Sequence, residues 1–371
     1  MIKANEKRNI WLDLFKLYLS WLVICIHIAG SHYSHFGLYR VAVPTFFMIS
    51  GFFAYNKAYE VRRKKSVSFL KRSTVYMLLG LGLYLLFNFI ICLKDDADPT
   101  KLFQSLYFSD FILNFFVRNL NPLADAYHLW FIIALFEVGV LHLFLVKFKK
   151  ENWYFIIIPC AIAIHLFFNG YATKYNGTVA ALSYTRNGML FGLPTFGLGY
   201  CLAKFNLNKN AYLKYVYLAL GVLFFFLQIA ESKYIPMEVY ISSILSGAFL
   251  LLFFTGLKPI KCGWFYKAFG KSMSFYVYVL HLFIWKRLEV HKTISNRYEK
   301  CWIVFLISVA VYEVAFLMVQ LVKWGIGKVK ARVKLPSFYK EEEVNSPVDT
   351  AVAEETIVET SVMEELKTES E

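Results

Sequence analysis

Residues 11–27 read Trp11-Leu-Asp-Leu-Phe-Lys-Leu-Tyr-Leu-Ser-Trp-Leu-Val-Ile-Cys-Ile-His27, apolar at every position except Asp13, Lys16, Ser20 and His27. With its flanks the run covers about residues 10–30, enough to cross a hydrocarbon core of ~30 Å as a helix. It follows Lys3, Lys7 and Arg8 and has no small-residue cleavage site, so it is expected to stay as a helix and not be removed as a signal peptide. Runs of similar length recur along the chain. Composition agrees: 58% of the 371 residues are hydrophobic and 18% are charged, where ordinary globular domains carry roughly 25% charged residues. A length that would suggest about two soluble domains therefore describes an all-α polytopic membrane protein. Disordered, secreted disulfide-rich and nucleic-acid-binding classes are excluded with that reading.

Ten spans fit the pattern, at about residues 10–30, 38–55, 74–93, 127–146, 153–169, 187–203, 212–230, 238–257, 271–287 and 302–322. With the N-terminus inside, the inner segments hold 26 Lys and Arg and the outer segments 12. That asymmetry places both termini in the cytoplasm, and the plasma membrane is the expected location. The net charge is +14, yet residues 341–371 hold 11 of the 26 acidic groups and one basic residue, Lys367. The basic excess of residues 1–340 lies in short loops, where it fixes topology and needs no nucleic-acid partner. Three regions follow: a membrane domain over 1–325, a basic juxtamembrane segment over 326–340, and a tail over 341–371. The tail has no aromatic residue and is expected to be disordered. Within the outer stretch 94–126, residues 102–120 are apolar but punctuated by Gln104, Asp110, Asn114 and Arg118, the pattern of an interfacial or re-entrant helix. The six cysteines are scattered singly, so they read as reduced packing residues, and no metal site is expected.

At ~100° per residue Asp13, Lys16, Ser20, His27 and Ser31 share a stripe about 60° wide on the first span. Ionisable groups inside a span are expensive and usually face the bundle interior or a water-filled path. Asp13 and Lys16, three residues apart, can pair. The plainer alternative makes that pair an anchor at the inner headgroups and His27 a packing residue. In the second span, Tyr39-Arg-Val-Ala-Val-Pro-Thr-Phe-Phe-Met-Ile-Ser-Gly51-Phe-Phe, Pro44 and Ser50-Gly51 are expected to interrupt the helix and free backbone carbonyls.

Asp13–Lys16, ten residues, His27 and then Phe46-Phe-Met-Ile-Ser-Gly-Phe52 together resemble the acyltransferase-3 family of integral membrane acyltransferases. Members open with an Arg, ten residues and a His, followed by Phe-Phe-x-x-Ser-Gly-Phe. The resemblance continues through Phe69-Leu-Lys-Arg72, His128-Leu-Trp-Phe-Ile132, Thr185-Arg-Asn-Gly-Met-Leu-Phe-Gly-Leu-Pro194 and Gly270-Lys-Ser-Met-Ser-Phe-Tyr-Val-Tyr-Val-Leu-His281, over about residues 9–325. Two positions depart from the pattern. Lys16 stands for the family's Arg, keeping the charge and losing the bidentate fork, and Val75 stands where a further Arg is usual.

The resemblance implies transfer of an acyl group, most often acetyl, from acyl-CoA to a hydroxyl of a cell-surface or lipid-linked glycan. No bound cofactor is implied; acyl-CoA is a co-substrate, and the partners are membrane lipid, glycan and acyl-CoA. His27 then reads as the base, with Lys16 and Asp13 charge-balancing its stripe. Lys71 and Arg72, at the end of the basic loop Lys57–Arg72, read as donor-binding residues, although the loop's charges also obey the positive-inside rule and suit anionic lipid. Ser50, His128, Glu137, Arg186 and His281 read as acceptor or supporting residues. Glu137 suits a His or Arg partner, and Arg186 either holds an acceptor anion or snorkels. The glycines at 188, 192, 197 and 199 suit close helix packing. The rival reading is a non-enzymatic uptake or export protein, because the membrane part of certain serine/alanine racemases resembles the same family. No soluble racemase domain follows the last predicted span, which favours the enzyme.

Overall fold

The computed structural model describes residues 9–28, 36–94, 98–103, 110–168, 182–209, 212–235, 237, 239–258, 273–287 and 294–332. Among these no β-strand is present, and ten helices have twelve residues or more. They are α1 (Ile10–Ile28), α2 (Ala42–Ala54), α3 (Tyr59–Lys94), α4 (Trp130–Lys147) and α5 (Tyr154–Leu166), then α6 (Leu193–Lys204), α7 (Leu213–Tyr234), α8 (Ile241–Gly256), α9 (Met273–Arg287) and α10 (Arg297–Arg332). Each predicted span overlaps one helix. Among the described residues six stretches are long and apolar enough to cross a membrane: Ile10–Ile28, Gly37–Ala54, Tyr59–Lys94, Tyr127–Lys147, Leu213–Tyr234 and Arg297–Met318. Glu151–Leu166 and Ile241–Gly256 are apolar but shorter, and α6 and α9 fall short of the ~20 residues a crossing needs. Residues up to Phe316 form one compact unit; of a second, Leu317–Glu371, the described part is helical through Arg332. Ser31 and the tail 341–371 lie outside the described residues.

Three expectations are corrected. The basic loop Lys57–Arg72 is helical from Tyr59 onward and continues into the span as one 36-residue helix, about 54 Å long. No Gly or Pro interrupts it before Gly80, and Arg62 fastens its start. Arg62 Nε donates to Glu151 Oε1 at 2.7 Å and Nη1 to the Asn56 carbonyl at 2.8 Å. Neither Pro44 nor Ser50-Gly51 interrupts the second span: α2 runs unbroken through Ser50-Gly51 to Ala54, and Pro44 sits in its first turn, where its missing N–H has no helical partner to lose. The described part of 102–120 is not one helix. A short 3₁₀ turn covers Pro99–Leu102 and a π-turn covers Leu113–Val117, followed by Asn119 in a left-handed conformation (φ 50°).

Between helices in lipid there is little hydrophobic driving force, so close packing holds the bundle. α2 lies at its centre, packed on α1, α6 and α8. Its crossing with α6 is backbone on backbone: a Cβ at Gly51 would collide with the Phe196 carbonyl, and one at Gly199 with the Met48 carbonyl. Near the start of α3 His142 is fully buried and saturated. Ser66 Oγ donates to the Arg62 carbonyl (2.9 Å) and so accepts from His142 Nε2 (3.0 Å), while Tyr154 donates its hydroxyl to His142 Nδ1 (3.0 Å). A histidine satisfied on both nitrogens is a structural staple, here tying α3, α4 and α5 together.

Candidate active site

The polar stripe of α1 is turned toward α9. Ser20 Oγ donates to the Lys16 carbonyl at 3.0 Å and reaches the Ser274 carbonyl at 3.4 Å, and one span of seven residues further on the His27 and His281 rings lie 5.2 Å apart. The two helices therefore run in the same direction with a constant offset of 254 residues.

A cavity of about 400 Å³ opens among α1, α2, α3, α4 and α9. Lys16, Lys65 and Arg72 supply its cations, and Ser50, Ser68, Ser73 and Ser274 add polar groups. Arg72 folds back along its own helix, Nε donating to the Ser68 carbonyl at 3.3 Å, toward Lys65. Elsewhere the walls are apolar, with Val23 from α1, Phe131 and Leu135 from α4 and Tyr278 from α9 among them. A histidine stands within about one turn of each of Val23, Phe131 and Tyr278: on α1, in the 3₁₀ turn Tyr127–Leu129 that leads into α4 (His128), and on α9. From Val23 it is four residues to His27, from Phe131 three back to His128, and from Tyr278 three on to His281. The three rings form one cluster, with centroids 5.1 Å (His128–His281), 5.2 Å (His27–His281) and 6.2 Å (His27–His128) apart.

Hydrogen bonding fixes what the cluster offers. His281 Nδ1–H donates to the Tyr278 carbonyl at 2.5 Å, and His128 Nε2–H to the Val279 carbonyl at 3.3 Å. A carbonyl only accepts, so each ring must carry its proton there, leaving a lone pair on the other nitrogen of the neutral ring. Those nitrogens, His128 Nδ1 and His281 Nε2, are buried without a partner among the described residues. His128 and His281 are fully buried, whereas His27 is only half-buried, which makes it the accessible member. Arg40 and Arg186 stand within electrostatic reach of His27, and the Arg186 guanidinium lies 5.2 Å over the Trp130 ring.

The structure thus brings together His27, His128, His281 and Arg186, and it places Lys16, Ser50 and Arg72 on the cavity. Asp13 holds Lys16 in a 2.5 Å ion pair. His27 stands eleven positions beyond Lys16, about 16 Å along the helix, so the Asp13–Lys16 pair lies at the other end of the cavity from the cluster. Lys71 is exposed and does not line the cavity. Among the described residues Glu137 meets neither His nor Arg: its Oε1 accepts from Asn119 Nδ2 at 2.6 Å, beside Gly188. Val75, also exposed, lies off the cavity. Lys65, Ser68, Arg40, Phe131 and Tyr278 were not singled out by the sequence. The first two share a helical stripe with Arg72 and Tyr76, a periodicity visible once the segment is read as helix.

The site is thus a histidine cluster beside a cation-bearing cavity inside a helical bundle. A family model described as an acyltransferase domain of the acyltransferase-3 type matches residues 9–320. The chain belongs to that family. It is also similar to an amino-acid racemase of Enterococcus faecalis, 26% identical over 231 residues, which is 57% of this chain and 30% of that protein. A serine/alanine racemase of Enterococcus gallinarum is 27% identical over 161 residues, 39% of this chain and 21% of that protein. The chain thus matches less than a third of either racemase's length. No solved structure matches.

Proposed function

We propose that this protein is an O-acyltransferase of the plasma membrane with both termini in the cytoplasm. It takes an acyl group, acetyl in the simplest case, from acyl-CoA and passes it to a hydroxyl of a cell-surface or lipid-linked glycan. The observation that carries this reading is the placement of three histidines within one turn of the walls of a cavity bearing Lys16, Lys65 and Arg72. The cations suit the phosphates of the donor, whose thioester would extend inward. His27 would take the proton of the acceptor hydroxyl as its oxygen attacks the thioester carbon. The carbon–sulfur bond then breaks, the ester forms, and the CoA thiolate leaves to take up a proton. NMR of surface glycan from a deletion strain tests this: ester signals should disappear and return on complementation, and an unchanged ester content would refute it.

The racemase relatives favour a second reading, uptake or export of a small substrate such as serine. A deletion strain that loses labelled-serine uptake while keeping its glycan esters would select that reading.

Two predictions concern the donor side. Lys16→Ala should raise KM for acyl-CoA about tenfold with kcat little changed, whereas Lys16→Arg should match or better the wild type, since charge-assisted contacts to phosphate are worth roughly 1.5–3 kcal/mol. Steady-state kinetics in membranes checks both, and equal KM for Ala and wild type would make Lys16 only an anchor. Truncation after Tyr339 should leave transfer intact and change apparent donor affinity at most a few-fold, because a solvated acidic tail is screened over ~8 Å. Lost activity at normal protein level would show the tail to be required.

A further inference from the structure

Tyr278 forms part of the wall between the cavity and two members of the histidine cluster, His128 and His281. Tyr278 lines the cavity, and its ring centroid lies 5.6 Å from His128 and 6.0 Å from His281. Phe131, on the same wall, stands edge-on to Tyr278 at 5.5 Å and to Phe47 at 4.8 Å. Among the described residues no histidine lines the cavity itself.

We propose that Phe131 and Tyr278 are the specificity-determining residues for the acyl group, closing the cavity beyond a carbonyl and a short alkyl chain. The inference rests on the acyl-CoA donor reading. A thioester carbonyl near this wall stands one ring away from the cluster, and any further methylenes of the acyl chain must enter the space the two rings fill.

Three observations make the wall stiff. Tyr278 donates its hydroxyl to the His128 carbonyl, a bond between residues 150 apart in sequence. Its own carbonyl accepts from His281 Nδ1, so moving Tyr278 breaks contacts on both sides. Behind Phe131, Phe47 is fully buried and packs on Phe191 at 5.8 Å, while a Cβ at Gly192 would already press on its ring. A packed interior of this kind does not open for an added methylene without strain.

Membranes containing the full chain and its endogenous acceptor would be supplied with radiolabelled acetyl-, butyryl- or hexanoyl-CoA and the label in glycan counted. Wild type should favour acetyl over butyryl by roughly a hundredfold and over hexanoyl by about 10⁴-fold in kcat/KM, since each methylene in a fixed pocket is worth about tenfold or more. Phe131→Ala should raise the hexanoyl-to-acetyl ratio at least about tenfold, and the milder Phe131→Leu should raise butyryl alone. Thermal unfolding in detergent identifies which variants are folded. A wild type that uses hexanoyl-CoA as well as acetyl-CoA would overturn the inference, as would folded Phe131→Ala and Phe131→Leu proteins that both keep the wild-type ratio. In either case transfer itself persists and the donor reading stands. A folded wild type that transfers and binds none of the three donors removes the donor reading and this inference with it.

Discussion

His27→Ala should lower acyl transfer by roughly 10²–10⁴-fold, the usual contribution of a positioned general base, while protein level and thermal unfolding stay close to wild type. The expectation comes from exposure. His27 is the half-buried member of the cluster, so an alanine there leaves no buried polar group stranded. His128 and His281 are fully buried and each is bonded to a backbone carbonyl of α9. Their alanine variants should therefore lose stability as well as activity. The comparison separates base from support: glycan ester content and thermal unfolding are measured for all three variants. Full ester content in the His27→Ala strain would remove His27 from the mechanism.

Gly199→Val should be the most damaging single change to the bundle. A Cβ at this position would press into the Met48 carbonyl, a backbone atom with no rotamer to yield. Overpacking of this kind costs about 3 kcal/mol, and because α2 carries Ser50 and Phe46 on the cavity wall, activity should fall with stability. Gly82→Ala is the control, since nothing lies within 4 Å of a Cβ there. Fluorescence-detected size exclusion in detergent would show loss of the monodisperse peak for Gly199→Val and none for Gly82→Ala. A well-folded Gly199→Val protein would mean that α2 and α6 slide past each other easily.

The three histidines were each readable as ionisable groups inside apolar runs, because lipid makes such groups costly wherever they stand. Their convergence was not. It depends on α1 and α9 running parallel in register and α4 opposing them, which no local pattern contains. Lys65 and Ser68 were hidden for another reason: the positive-inside rule explains every cation of their segment equally well, so it singles out none. Glu137 shows the limit of a lone intramembrane acid. Its partner Asn119 comes from a left-handed turn in a stretch that reads as a regular helix, so the pairing could not be foreseen.

The parallel register of α1 and α9 also has a consequence for biogenesis. His27 meets His281 only after 254 further residues have left the ribosome, which at ~5–20 residues per second takes roughly 10–50 s. Throughout that interval α1 is in the bilayer with the face bearing Ser20 and His27 still uncovered by its proper neighbour. Chain fragments that end before α9 therefore lack the three-histidine cluster, which does not exist until its last contributing helix arrives.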